Sequence, residues 1–162
     1  MIERYGSLAV FLFLVIMTSA ISGMINAGEW WYLITGKPSW AAPAWVFGVA
    51  WSLAYLLMAL AAWQVWQTGR DSRMGALAWW GIVLFLTVLW HILFLGIHRV
   101  GWSWLIGAVL IVAVVLCFRA FRLLSREAAL LVLPFLAWFG YLWVLNFVIW
   151  SRNGGIFGRL FS

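Results

Sequence analysis

Thr87, Trp90, His91, Phe94 and His98 follow one another at offsets of 0, 3, 4, 7 and 11 inside an almost uncharged stretch. On a helix those offsets share one face. A second stretch carries Trp138, Leu142, Leu145 and Asn146 at offsets of 0, 4, 7 and 8, with Pro134 one turn earlier. A third carries Trp51, Tyr55, Met58 and Ala62 at 0, 4, 7 and 11. Aromatic walls with a few polar points suit a flat, apolar, partly polar ligand. The polar points are Thr87, His91 and Asn146. Two readings stand for His91, a hydrogen-bonded packing residue or a ligand to haem or a metal. Two also stand for Asn146, a bond to a neighbouring helix or contact with a ligand.

Other chemistry is largely excluded. The only carboxylates are Glu3, Glu29, Asp71 and Glu127, all expected in loops or at helix ends and never paired. There is no nucleophile–base arrangement and no glycine-rich phosphate loop. Cys117 is the single cysteine, so neither an intrachain disulfide nor a cysteine metal site can form. What remains for an enzyme is indole redox or photochemistry on a bound ligand.

The elements that must hold these faces follow from composition. The chain has 162 residues, 67% hydrophobic and 9% charged, far below the roughly 25% charge of a soluble domain. Its solvent must be largely lipid. The formal charge is +6, but the basic residues punctuate apolar runs and do not cluster, which indicates membrane topology and not nucleic-acid binding.

Five runs are long enough, or nearly so, to cross hydrocarbon as helices: Ser7–Ile25, Ala44–Trp66, Ala76–Gly96, Trp102–Phe118 and Ala128–Trp150. The fourth is expected to continue through Phe121 with Arg119 and Arg122 snorkelling. Without alternating polarity a barrel is excluded. The expected fold is therefore an all-α membrane protein, a five-transmembrane-helix bundle forming one domain over residues 1–162. The first run is read as a retained helix and not a cleaved signal. The balance of arginine and lysine favours a cytoplasmic N-terminus.

The long connection Asn26–Pro43 holds Trp30, Trp31, Tyr32 and Trp40 and is stiffened by Pro38 and Pro43. It is expected to fold as an ordered lid over one end of the bundle. Trp66, Trp79, Trp102 and Trp104 suit an interfacial belt, and His98 an interfacial position. Ser19, Gly23 and Ala27 form a small-residue stripe, either for packing within the bundle or for a homodimer face.

Several of these stretches resemble the TspO/MBR family, which includes tryptophan-rich sensory proteins, translocator proteins and peripheral benzodiazepine receptors. The resemblance lies in WY-x4-KP-x-W (Trp31, Tyr32, Lys37, Pro38, Trp40) and P-x-W-x-F-x3-W (Pro43, Trp45, Phe47, Trp51). It continues in W-x3-F-x-G-x-H-R (Trp90, Phe94, Gly96, His98, Arg99), in PFLAW (Pro134 to Trp138) and in L-N-x3-W (Leu145, Asn146, Trp150).

The resemblance implies an integral, multi-pass protein of a bacterial cell envelope, often dimeric, with a pocket closed by the first loop. Porphyrin or haem would be the ligand, no cofactor being required, and the role would be tetrapyrrole sensing or movement. The implied pocket is Tyr32, Trp40, Trp45, Trp51, Trp90, Phe94, Trp138 and Asn146. To these the helix faces add Thr87, His91 and Leu142. Trp51 and Trp138 match tryptophans linked to light-dependent porphyrin breakdown, the catalytic pair if the chain is an enzyme.

The chain departs from the family pattern at Thr35, at Ala42, at Thr87 and His91, and at Leu142 and Trp143, whose bulk is expected to narrow the cleft. A third reading follows, a non-binding membrane assembly protein with a filled pocket. Phe147 and Val148 after Asn146 depart from the animal sterol motif, so cholesterol is not an expected ligand.

Overall fold

The computed structural model describes residues 2–25 and 37–152, with side chains from Gly6 onward in the first helix. Among the described residues, five helices are long and apolar enough to cross a membrane. They are α1 (Ile2–Ile25), α2 (Ala44–Gln67), α3 (Arg73–His91), α4 (Val100–Leu124) and α5 (Arg126–Arg152). No strand occurs among the described residues. The fourth helix does run on past Phe118, with Arg119 and Arg122 exposed beyond the apolar stretch.

Around the bundle the helices pack in the order α1, α2, α5, α4, α3, and α3 closes the ring on α1. Sequence neighbours α2 and α3 touch little, so the faces of α2, α3 and α5 are free to meet across the interior. Close approach is allowed by small side chains on α2, where Ala54, Ala59, Ala61 and Ala62 are buried beside Met58. Trp80 of α3 donates its indole N–H to the Met58 carbonyl at 3.0 Å, and Phe11 of α1 meets the Trp80 ring edge-on at 5.5 Å.

The outer surface is apolar. Val10, Phe13 and Ile16 on α1, Phe85 on α3 and Val109 and Val112 on α4 are all exposed, a surface stable only against lipid.

The turns are locally determined. Gly69 takes φ +65° just beyond α2, a conformation that a Cβ disfavours. Ser125 separates α4 from α5 in an extended conformation and accepts the Ala128 N–H on its hydroxyl at 3.1 Å, an N-cap. Arg73 covers the Trp66 ring at 4.3 Å and donates to the Trp66 carbonyl.

Among the described helices, the end of α3 is irregular. After His91 the chain makes a π-helical turn, Ile92–Gly96, in which Ile97 N–H reaches back to Ile92 O at 2.8 Å. The wider turn still buries Phe94. His98 then takes φ +58° and Arg99 N–H bonds to Leu93 O, which reverses the chain into α4.

Candidate aromatic site between α2, α3 and α5

The predicted faces converge. From α2, Trp51 stacks on Tyr55 one turn on (5.2 Å, 23°) and lies against His91 of α3 at 4.9 Å. Phe135 of α5 meets Trp51 edge-on at 5.8 Å. Toward the first-loop end, Phe47 meets Trp138 edge-on at 5.4 Å, and Trp138 stacks on Tyr141 (5.2 Å, 26°). On the α3 side, Trp90 stacks on Phe94 at 5.0 Å and meets Phe139 edge-on at 5.2 Å. Trp51 and Trp138 are half-buried, whereas Trp90 and His91 are fully enclosed.

The polar points separate by their bonds. Thr87 donates its hydroxyl to Val83 O at 2.7 Å in its own helix, which occupies its only proton. His91 Nδ1 lies 2.8 Å from Thr87 O. A carbonyl only accepts, so Nδ1 carries the proton and Nε2 the lone pair.

The Asn146 amide is oriented by its neighbours. With its nitrogen toward Val100 O (3.1 Å), its oxygen accepts from the Ser103 hydroxyl (2.7 Å) and from Trp90 Nε1 (3.3 Å). Of the two readings left open for Asn146, these contacts are the interhelical one, tying α5 to α3 and α4. Trp138 Nε1 is a buried donor without a partner among the described residues. The Tyr55 hydroxyl is buried near Ser22 of α1 but closes no well-formed bond. Buried polar atoms left this way are costly and mark where a ligand or water gains most.

Other expected residues stand elsewhere. Tyr32 and Thr35 lie outside the described residues. Trp40 is 49% exposed and rests its edge on Tyr141 at 5.8 Å, reaching only the rim. Trp45 departs from the expected pocket. It is 71% exposed, because at the start of α2 its face turns outward while Phe47 turns in. Leu142 is buried, as a wall residue would be. Trp143 does not narrow the cleft in the way expected of it. One residue further round the helix, it enters the seam between α5 and α4, stacks on Trp104 (5.1 Å, 12°) and donates to Trp104 O at 2.9 Å. Gly107 makes the room.

The described end of the first loop is fastened to α5. Ala42 N–H donates to the Tyr141 hydroxyl at 2.7 Å, Ala41 N–H closes a turn on Pro38 O, and Arg152 donates to Lys37 O. Phe47, Phe135, Phe139 and Tyr141 were not anticipated as site residues. Tyr141 carried one available signal, its place three residues after Trp138 on the same face.

A five-helix membrane bundle with a tryptophan-lined interior at one end defines the class. The TspO/MBR family profile matches residues 8–151, and the chain belongs to that family. It is 30% identical over 145 residues to the protein CrtK of Rhodobacter capsulatus, covering 88% of this chain and 91% of that one. It is 35% identical to the tryptophan-rich protein TspO of Archaeoglobus fulgidus (76% and 80% covered). It is 32% identical to the human translocator protein (77% and 76% covered).

Proposed function

We propose that this chain is a membrane receptor that binds a tetrapyrrole, a porphyrin or haem, between α2, α3 and α5, and that it senses or helps move that ligand. The observation that carries this reading is the pairing of flat aromatic walls with an unmet polar atom. Trp51, Phe135 and Trp138 supply the ring faces, and the buried Trp138 Nε1 offers a hydrogen bond. A macrocycle with an apolar body and polar edges satisfies both. The described end of the first loop, residues 37–43, is fastened through Ala42 to Tyr141 of α5 beside Trp138.

Titrating metal-free protoporphyrin into protein held in lipid nanodiscs tests the reading. Binding quenches tryptophan emission in a saturable way at micromolar ligand. Absence of saturable quenching refutes it.

A second reading, light-dependent porphyrin breakdown, is favoured by one feature. Each of Trp51 and Trp138 stacks on a tyrosine at 5.2 Å, a pairing that can pass on an oxidising equivalent. Bleaching of bound porphyrin under light and oxygen that stops in the Trp51→Phe/Trp138→Phe variant would establish it. Pairing of two copies across the face carrying Ser19 and Gly23 belongs with the proposal, and crosslinking in native membranes tests it.

A further inference from the structure

We propose that the outer face of α4 is a binding site for an anionic phospholipid, its phosphate held by Arg119 and Arg122 and an acyl chain laid along Val109, Val112 and Val115. The site lies on the outside of the bundle and does not depend on the tetrapyrrole reading.

The argument begins with helix register. Val109, Val112, Val115, Arg119 and Arg122 are all exposed. Arg119 stands two turns beyond Val112 and Arg122 two turns beyond Val115, so an apolar stripe runs directly into two guanidinium groups. At 1.5 Å per residue, Val109 lies about 15 Å along the axis from Arg119. That is about half of a hydrocarbon core ~30 Å thick, the depth of one leaflet. The face therefore offers contacts to a phosphate and to its chain at the spacing a phospholipid has.

Charge supplies the second part. Like charges three residues apart on a helix repel, and no described residue relieves this pair. Among the described residues neither guanidinium makes a hydrogen bond or an ion pair, and the exposed carboxylates at this end, Asp71 and Glu127, pair with neither. More positive charge is gathered beside them. Arg70 reaches across from the turn between α2 and α3 and donates to Leu123 O at 3.1 Å, and Arg126 opens α5 just beyond. A basic cluster at the end of a membrane helix draws anionic headgroups, and the planar guanidinium fork matches phosphate oxygens two at a time. A free anion would use the arginines alone. The apolar stripe beneath them gives a lipid contacts that a free anion lacks.

Native mass spectrometry of the full chain tests the proposal, with phosphatidylglycerol and phosphatidylcholine of matched chains offered in equal amounts. Wild type is expected to retain phosphatidylglycerol in preference. Arg119→Gln/Arg122→Gln should weaken that retention by roughly fivefold per arginine, with thermal unfolding unchanged. Arg152→Gln, at the opposite membrane face, should behave as wild type. Excess glycerol phosphate, which has the headgroup chemistry and no chain, should not displace the lipid.

Equal retention of the two lipids by wild type overturns the proposal. So does a preference that survives in Arg119→Gln/Arg122→Gln or falls equally in Arg152→Gln. Displacement of the lipid by glycerol phosphate would reduce the site to one for free anions and overturns it as well.

Discussion

Alanine at Gly107 tests the close approach of three helices. The added Cβ would lie 2.6 Å from Trp143 Cδ1, 3.3 Å from Trp143 Nε1 and 3.5 Å from Trp90 Nε1. Carbon atoms prefer about 3.5–4.0 Å, so the Trp143 ring must retreat by roughly 1 Å. It cannot do so freely. Its N–H is bonded to Trp104 O at 2.9 Å and its face is stacked on Trp104.

Losing that bond costs ~0.6–1.7 kcal/mol in a membrane setting, and weakening the stack up to ~1.5 kcal/mol. Overpacking alone typically costs ~1–3 kcal/mol. These overlap, and alanine returns ~0.5–1 kcal/mol of helix propensity. The expected net loss is therefore up to about 2.5 kcal/mol.

Gly81 on α3 is the control. It is exposed and a Cβ there meets nothing within 4 Å, so Gly81→Ala should be neutral or stabilising by up to ~1 kcal/mol. Adding Trp143→Leu to Gly107→Ala should recover most of the loss. Thermal unfolding in one detergent, followed by circular dichroism, ranks the four proteins. Gly107→Ala unfolding with Gly81→Ala would refute the packing argument.

Other outcomes follow from the same geometry. Asn146→Leu leaves Trp90 Nε1 and the Ser103 hydroxyl without their amide partner and should cost ~1–3 kcal/mol, with a shift in the environment of Trp90 seen by fluorescence. Ser103→Ala removes one bond and should cost less, ~0.6–1.7 kcal/mol in the same unfolding assay. Tyr141→Phe deletes the acceptor of the Ala42 N–H. Hydrogen exchange at Ala42 should accelerate while the helices stay protected, and porphyrin should dissociate faster.

The helices were legible because hydrocarbon imposes one requirement, long runs of apolar residues with every backbone bond satisfied internally. The same constraint made the inward faces readable, since a polar residue such as Asn146 or His91 has nowhere else to go. What the sequence hid was partner identity. Ser103 is an ordinary small residue at the start of α4, and only the fold shows that it meets Asn146 43 positions away. Trp143 and Leu142 are adjacent and both bulky, yet one residue of helix rotation sends one to the α4 seam and the other into the interior. Trp45 carries the family spacing and still faces outward. The π-turn after His91 has no compositional mark, because leucine, isoleucine and phenylalanine build it as readily as an α-helix.

The central claim is that the rings of Trp51 and Trp138 form a tetrapyrrole site. Its most direct test is the equilibrium affinity for protoporphyrin of wild type, Trp51→Phe/Trp138→Phe and the exposed-face control Trp102→Phe, in the same nanodiscs. Phenylalanine keeps a ring but removes part of the indole face and the Trp138 N–H, whose bond to a ligand contributes ~0.5–1.5 kcal/mol, so the double variant should bind up to about tenfold more weakly and Trp102→Phe like wild type. Equal affinity in all three would contradict the account.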